Sequence, residues 1–86
     1  MTIYVGNINY SLSEEDIRGI FEVIGEVSAI KIVRDRKSGK SKGYCFLEMP
    51  NRKEAMEAIK TLDGKNFSGR NLRVLKAHTN KVKVAV

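Results

Sequence analysis

The 86-residue sequence predicts an α+β fold, in which a four-stranded antiparallel sheet carries two helices on one face. Segments with strand-like alternation and segments with helical periodicity follow each other in the order βαββαβ. Each helical segment has one apolar stripe, so the two helices can cover only one face of the sheet. No repeat or low-complexity segment interrupts this order. The expected architecture is therefore a two-layer, ferredoxin-like sandwich whose other sheet face is uncovered.

The first strand and the first helix are predicted between residues 2 and 25. Residues 2–6 alternate and are rich in β-favouring side chains, which is typical of a strand. Ser13 is a suitable N-cap, and three acidic residues follow it in the first helical turn. Gly25 is predicted to end the helix. The apolar stripe of this helix consists of Ile17, Ile20, Phe21 and Ile24.

The second and third strands are predicted over residues 27–34 and 43–49, with a polar, basic loop at 35–41 between them. Pro50 ends the third strand because proline has no N–H to donate to a neighbouring strand.

The second helix and the last strand complete the pattern. Asn51 is a suitable N-cap, with a glutamate three residues later, and the turn at 63–64 ends the helix. A further turn at 68–69 precedes the last strand, predicted over 71–77. The apolar stripe of this helix consists of Ala55, Ala58, Ile59 and Leu62.

The charge balance favours a polyanionic partner. The chain has 16 Lys and Arg against 10 Asp and Glu, which gives a formal net charge of +6. Cys45 is the only cysteine, which excludes an intrachain disulfide and fits a reducing compartment. The sequence shows neither a signal-peptide pattern nor an apolar run of membrane-spanning length, so we expect a cytoplasmic protein with no membrane partner.

Aromatic side chains are predicted on the uncovered face of the sheet. Because side chains alternate along a strand, Ile3 and Val5 point to the helices and Tyr4 points away from them. The same alternation places Tyr44 and Phe46 on the uncovered face, together with Glu48. Such exposed rings indicate a ligand. Aromatic cross-strand pairs that only stabilise the sheet, or a C-terminal segment that covers it, would also explain them.

Cations surround the predicted aromatic face. Single-stranded nucleic acid needs rings on which bases stack and cations that hold phosphates. The predicted phosphate or rim contacts are Lys31, Arg34, Arg36, Lys37, Lys40, Lys42 and Arg73.

Two segments resemble the motifs of the RNA recognition motif family. Residues 42–49 (KGYCFLEM) resemble the octapeptide K/R-G-F/Y-G/A-F-V-x-F/Y, and residues 3–8 (IYVGNI) resemble the hexapeptide of the first strand. The resemblance covers residues 2 to about 78. In its short, single-domain form the chain resembles the small bacterial members of the family. It implies a domain over residues 1–78 and a C-terminal tail over 79–86.

The resemblance also implies roles for individual residues. Tyr4 and Tyr44 match positions that stack on two bases, Phe46 matches the position that packs on the sugars between them, and Lys42 matches a phosphate contact. Cys45 and Met49 depart from the pattern on the core side, where packing is their expected role. Candidate base contacts are Asn7, Glu48, Lys76 and His78, of which Asn7 is favoured as a brace for the loop after the first strand.

No catalytic constellation is recognised in the sequence. Gly39-Lys40-Ser41 lacks the earlier glycine of a phosphate-binding loop, and His78 and Cys45 lie on different predicted elements without an orienting acid. We therefore expect a non-enzymatic monomer with no cofactor, metal or small-molecule substrate.

The predicted function is binding of single-stranded RNA, and more weakly of single-stranded DNA, in post-transcriptional regulation or RNA chaperoning. The alternative is a protein-interaction module of the same fold, in which the tail covers the sheet.

Overall fold

The computed structural model describes residues 1–77, apart from the side chain of Ser41. These residues form a four-stranded antiparallel sheet with two helices. The α+β fold predicted from the sequence is thereby confirmed. Along the chain the elements are β1 (Thr2–Gly6), α1 (Glu14–Glu22), β2 (Ala29–Arg34), β3 (Ser41–Glu48), α2 (Arg52–Leu62), β4 (Asn66–Phe67), β5 (Arg70–Asn71) and β6 (Arg73–Lys76).

The strand order is β2-β3-β1-β6, so β1 and β3 are the two central strands. All three pairings are antiparallel, and Tyr4 lies directly opposite Phe46. Between the pairs Ile32–Cys45 and Arg34–Ser41 the register shifts, because β3 contributes more residues there than β2. The resulting bulge includes Gly43, at φ 87°.

Both helices pack on one face of the sheet. The inward side chains of β1 and β3, among them Ile3, Val5, Cys45 and Leu47, are fully buried, as the alternation predicted. They form one hydrophobic cluster with buried residues of the helices. The helical members of this cluster are Ile17, Phe21, Ala55, Ala58 and Leu62.

Side-chain caps begin both helices, as predicted. The Ser13 hydroxyl accepts a hydrogen bond from the Asp16 N–H (3.1 Å), and the Asp16 carboxylate accepts one from the Ser13 N–H (2.9 Å). This reciprocal capping box satisfies two backbone donors at the start of α1. At α2, the Asn51 side chain accepts from the Glu54 N–H (3.0 Å).

The end of α1 differs from the prediction. The helix ends at Glu22 with Val23 as its C-cap, two residues before Gly25. Gly25 is required for a different reason, because a Cβ at this position would collide with the side chain of Glu54. That side chain passes close to the backbone and accepts a hydrogen bond from the Glu26 N–H (3.1 Å).

The segment before the last strand also differs from the prediction. The turn at Ser68 and Gly69 connects β4 and β5, two-residue strands that are too short for a periodic signal. Both turn residues have positive φ, which is the geometry of a tight hairpin turn. The strand predicted over 71–77 is accordingly divided, and its part in the main sheet is β6.

Other strand boundaries moved by two residues. The second strand begins at Ala29 rather than at residue 27, and the third begins at Ser41 rather than at residue 43. His78 and the predicted tail over 79–86 lie outside the described residues. In residues 1–77, no helix is long and apolar enough to cross a membrane.

Candidate nucleic-acid interface

Three aromatic rings lie together on the sheet face opposite the helices. Tyr4 from β1 and Tyr44 and Phe46 from β3 are half-buried and form one contiguous group, the aromatic triad. Ring centroids are 5.8 Å apart for Tyr4 and Tyr44, 5.7 Å for Tyr4 and Phe46, and 6.2 Å for Tyr44 and Phe46. The rings are tilted or edge-on to one another, at 39° to 89°, which is the preferred geometry of aromatic pairs.

Gly6 makes room for the ring of Tyr4. A Cβ on Gly6 would lie 2.5 Å from the Tyr4 hydroxyl oxygen and 2.9 Å from two ring carbons. The ring therefore lies across the glycine two residues later on the same strand face. This contact gives the glycine of the hexapeptide a physical role, which is to let the tyrosine ring pack against the sheet.

The strand register extends the triad on both sides. Residues directly opposite each other in an antiparallel pair project on the same face. Lys31 lies opposite Phe46, and Leu75, 41% exposed, lies opposite Tyr4. Arg73 lies opposite Gly6 and is exposed. This face of the sheet therefore has an apolar centre, with a cation on each of the two edge strands.

The register does not place Lys76 with the triad. Lys76 lies opposite Ile3, whose side chain is buried on the helix-facing side. Its position therefore belongs to the opposite face from Tyr4. Alternation along the strand gives the same answer, because Lys76 is in phase with Leu72 and Val74, both of which are buried.

Asn7 is a brace in the structure. Its side-chain amide donates to the Asn71 carbonyl oxygen (2.7 Å), and its Oδ1 accepts from the Nε of Arg70 (3.2 Å). The residue has a positive φ of 57°, so the chain changes direction directly after β1. These bonds connect the end of β1 with β5.

Glu48 is engaged within the protein. Its two carboxylate oxygens accept from the Thr2 hydroxyl (2.6 Å) and pair with the amino group of Met1 (3.0 Å). Burial opposes ionisation of this carboxyl, but the Thr2 hydroxyl and the Met1 amino group outweigh that effect and lower its pKa. A base contact by Glu48 would have to compete with these two partners.

The basic loop between β2 and β3 has its own hydrogen bonds. The Asp35 carboxylate accepts from the backbone N–H groups of Lys37 (2.8 Å) and Ser38 (3.0 Å). These bonds, led by the one from Ser38, lower the pKa of Asp35. Arg34 donates to the Gly39 carbonyl oxygen (3.4 Å). The remaining predicted loop contacts, all exposed, are Arg36, Lys37 and Lys40.

A cleft beside the triad contains two residues that the sequence reasoning missed, Tyr10 and Arg70. The cleft has a volume of about 190 Å³, and Tyr4, Tyr44 and Lys42 also line it. Tyr10 could have been noticed as an aromatic residue in a polar loop, outside every apolar stripe. Arg70 had no comparable signal, because its position depends on the packing of the β4–β5 hairpin.

The Cys45 thiol is not a reactive group. The side chain is fully buried, and burial, followed by the negative charge of Glu14, raises its pKa to about 12. A protonated thiol is a weak nucleophile. Over residues 1–77 there is also no group of three or more His, Cys, Asp or Glu side chains arranged to hold a metal ion.

Comparison with known proteins shows which sequences this chain is similar to. A family model described as RNA recognition motif matches residues 3–73. The chain is 43% identical over 82 residues to the tau variant of human cleavage stimulation factor subunit 2. This match covers 95% of the chain but 13% of the length of the human protein. Over 77 residues it is 43% identical to RbpD of Nostoc sp., with 90% of this chain and 82% of that protein covered.

Solved structures give the same result. The crystal structure of RNA binding protein PG1 superimposes with a TM-score of 0.90 and 40% identity, covering 94% of this chain and 98% of that one. The RRM of Rna15 with bound RNA (GU) superimposes with a TM-score of 0.85 and 28% identity, covering 94% and 86%.

Proposed function

The chain belongs to the RNA recognition motif family, and from this premise we propose that its uncovered sheet face binds single-stranded RNA. The observation that carries the proposal is the aromatic triad, three contiguous rings on the two central strands, on the face away from the helices. A base stacked on an aromatic ring contributes about 1–3 kcal/mol. Stacking on the triad would thus contribute several kcal/mol to the binding of neighbouring nucleotides. The entropic cost of ordering the RNA offsets part of this free energy, so we expect micromolar affinity.

Cations near the triad support the same proposal. Lys31 and Arg73 flank the rings on the two edge strands, and Lys42 lines the cleft beside the triad, together with Tyr4 and Tyr44. Their ammonium and guanidinium groups would contact phosphates, which carry no sequence information but hold the strand in place. Arg34, Arg36, Lys37 and Lys40, at the end of the β2–β3 hairpin, would attract the RNA electrostatically.

The finer functional statements belong to the same proposal. We expect a non-enzymatic, monomeric, cytoplasmic protein that acts in post-transcriptional regulation or RNA chaperoning. Single-stranded DNA should bind more weakly, because the 2′-hydroxyl group is what distinguishes RNA at such a surface.

The proposal is tested by removing two rings of the triad. Tyr44→Ala together with Phe46→Ala should weaken binding of a random six-nucleotide RNA pool about tenfold or more, measured by fluorescence anisotropy. The fold should survive, because both side chains are only half-buried. The matched control is Val23→Ala with Met56→Ala, which truncates two exposed apolar side chains away from the triad. Equal affinities of the two double variants would contradict the proposal.

The salt dependence tests the phosphate contacts. For single-stranded RNA, each phosphate contact contributes about 0.7 to the slope of log affinity against log salt concentration. Lys42→Ala should lower the slope by about this amount. An unchanged slope would remove Lys42 from the phosphate contacts.

Amide chemical shifts distinguish the alternative of a protein-interaction module. RNA titration should move the backbone amides around Tyr4, Tyr44 and Phe46. Shifts confined to α1 and α2 would contradict RNA binding on the sheet. The part of this alternative that concerns the tail involves residues 79–86, which lie outside the described range.

A further inference from the structure

We infer that the first helix protects one edge of the sheet from pairing with a second copy of the chain. The protecting group is the carboxylate of Glu14, which occupies a backbone donor of the edge strand β2 that an added strand would need. This inference concerns the assembly of the protein and does not depend on the proposed RNA binding.

The strand β2 has the position and the composition of a good pairing partner. It lies at the end of the order β2-β3-β1-β6, so β3 covers one of its sides and the other side is an edge of the sheet. Its six residues, AIKIVR, include three β-branched side chains, which favour extended pairing. Such an edge offers backbone N–H and C=O groups to any extended chain, including another copy of the same protein.

The Ile32 N–H points to this edge. Ile32 lies opposite Cys45 in the pairing with β3, and its N–H donates to the Glu14 carboxylate (3.0 Å). In an antiparallel pair, residues that bond to the neighbouring strand alternate with residues whose backbone groups face away from it. Ile30 therefore faces the same edge, and an added strand would pair with Ile30 and Ile32.

The first turn of α1 brings Glu14 to the edge. Glu14 is half-buried, whereas the next residue, Glu15, is exposed. Arg18, one turn later on the same side of the helix, donates to the Val27 carbonyl oxygen (3.1 Å) just before β2. Two side chains of α1 thus lie along β2 and bond to its backbone or to the residue that leads into it.

An added strand would have to replace a strong hydrogen bond by a weaker one. A hydrogen bond to a charged group contributes more than one between neutral backbone groups, so exchanging Glu14 for a carbonyl oxygen at the Ile32 N–H is unfavourable. A two-fold related copy would also bring its own Glu14 to the same junction, where like charges repel. Both effects disappear when the carboxylate is removed.

The opposite edge of the sheet provides an internal control. Asp63 accepts from the Val74 N–H of β6 (2.9 Å), as Glu14 does at Ile32. The backbone before β6 adds further cover, because the Gly64 N–H donates to the Leu72 carbonyl oxygen (2.8 Å) and the Leu72 N–H donates back to residue 65 (2.9 Å). Loss of Asp63 therefore leaves these backbone bonds in place, whereas loss of Glu14 opens β2 at its centre.

Sedimentation velocity of the full chain, over a concentration series up to about 1 mM, tests the inference. The wild-type protein should sediment as a monomer. Glu14→Ala should approach the mass of a dimer as concentration rises, with a self-association constant about tenfold or more above that of the wild type. Glu15→Ala removes the same charge from the neighbouring position and should behave as the wild type.

Amide hydrogen exchange followed by NMR locates the contact. In Glu14→Ala, the Ile30 and Ile32 amides should exchange more slowly as concentration rises, because the strand of the second copy covers them. The amides of β6 should not respond. Asp63→Ala removes a comparable bond and should lose stability in urea unfolding, yet it should remain monomeric.

The outcomes separate edge protection from a purely stabilising role of Glu14. A Glu14→Ala protein that stays monomeric at every concentration would overturn the inference, and so would a wild-type protein that already pairs through β2. Equal self-association of Glu14→Ala and Asp63→Ala would also overturn it, because association would then follow from lost stability. Concentration-dependent protection outside β2 would do the same. None of these outcomes affects the aromatic triad, which Tyr44→Ala with Phe46→Ala tests separately.

Discussion

Replacing Gly6 by alanine would place a methyl group against the ring of Tyr4. The new carbon would lie 2.5 Å from the hydroxyl oxygen and 2.9 Å from two ring carbons, whereas ordinary van der Waals contact begins near 3.4 Å. The ring would have to move by roughly half an ångström to one ångström. Tyr44 and Phe46 pack on it at 5.8 and 5.7 Å, so the movement would disturb the whole triad.

The expected result is a loss of RNA affinity with little loss of stability. A lost stack of about 1–3 kcal/mol corresponds to a factor of about 5 to 150 in affinity, and we expect Gly6→Ala to reach at least the lower value. Gly6 does not have a positive φ, so alanine should stabilise the backbone by about 0.4–1 kcal/mol through the unfolded chain. This gain offsets the weakened ring contacts, so the free energy of unfolding should change by less than about 1 kcal/mol.

Fluorescence anisotropy with the six-nucleotide RNA pool and urea unfolding would measure the two effects separately. The matched control is Gly19→Ala in α1, where an added Cβ meets no atom within 4 Å. It should raise the free energy of unfolding by about 0.5–1 kcal/mol and leave RNA affinity unchanged. The reasoning about the Tyr4 ring would be refuted if Gly6→Ala bound RNA with wild-type affinity while Phe46→Ala, measured in parallel, bound it more weakly.

Three further predictions concern the core, a helix cap and the basic loop. The buried Cys45 thiol, with a pKa of about 12, should not react with a disulfide reagent at pH 8 until urea unfolds the domain; rapid reaction of the folded protein would contradict its burial. Ser13→Ala removes the acceptor of the Asp16 N–H and should cost about 1 kcal/mol, or about 4–8 °C in Tm, by calorimetry; an unchanged Tm would show that the capping box contributes nothing. Asp35 has a lowered pKa in the folded state, so its hydrogen bonds stabilise the loop above the ordinary pKa of 3.8 and are lost as pH falls through the lowered value. The Ser38 amide proton should shift over that acidic range, and Asp35→Asn should abolish the transition.

The triad was predictable because its determinants are local. Alternation along a strand depends only on backbone geometry, so Tyr4, Tyr44 and Phe46 could be assigned to one face without knowledge of the pairing. The helices followed from apolar periodicity and from side-chain caps within four residues of each start. Two apolar stripes then left one face of the sheet uncovered.

Element ends were less predictable because packing competes with local preference. Glycine is typical of helix ends, yet the structural role of Gly25 is to leave room for the side chain of Glu54. Two-residue strands such as β4 and β5 have no periodicity to detect, and their pairing followed from the hairpin turn between them.

Local patterns in the amino-acid sequence were thus sufficient for the fold class, the aromatic triad and the charge of its surroundings. The cleft lined by Tyr10 and Arg70 required the folded chain, because its parts are held by bonds between distant residues. Asn7 and Asn71 are 64 positions apart, and Asn9 and Ser68 are 59 apart. Hydrogen bonds of this range form only after the sheet has brought the ends of β1 and β5 together. No spacing rule in the sequence encodes them, and the position of Arg70 and the exposure of Tyr10 depend on them.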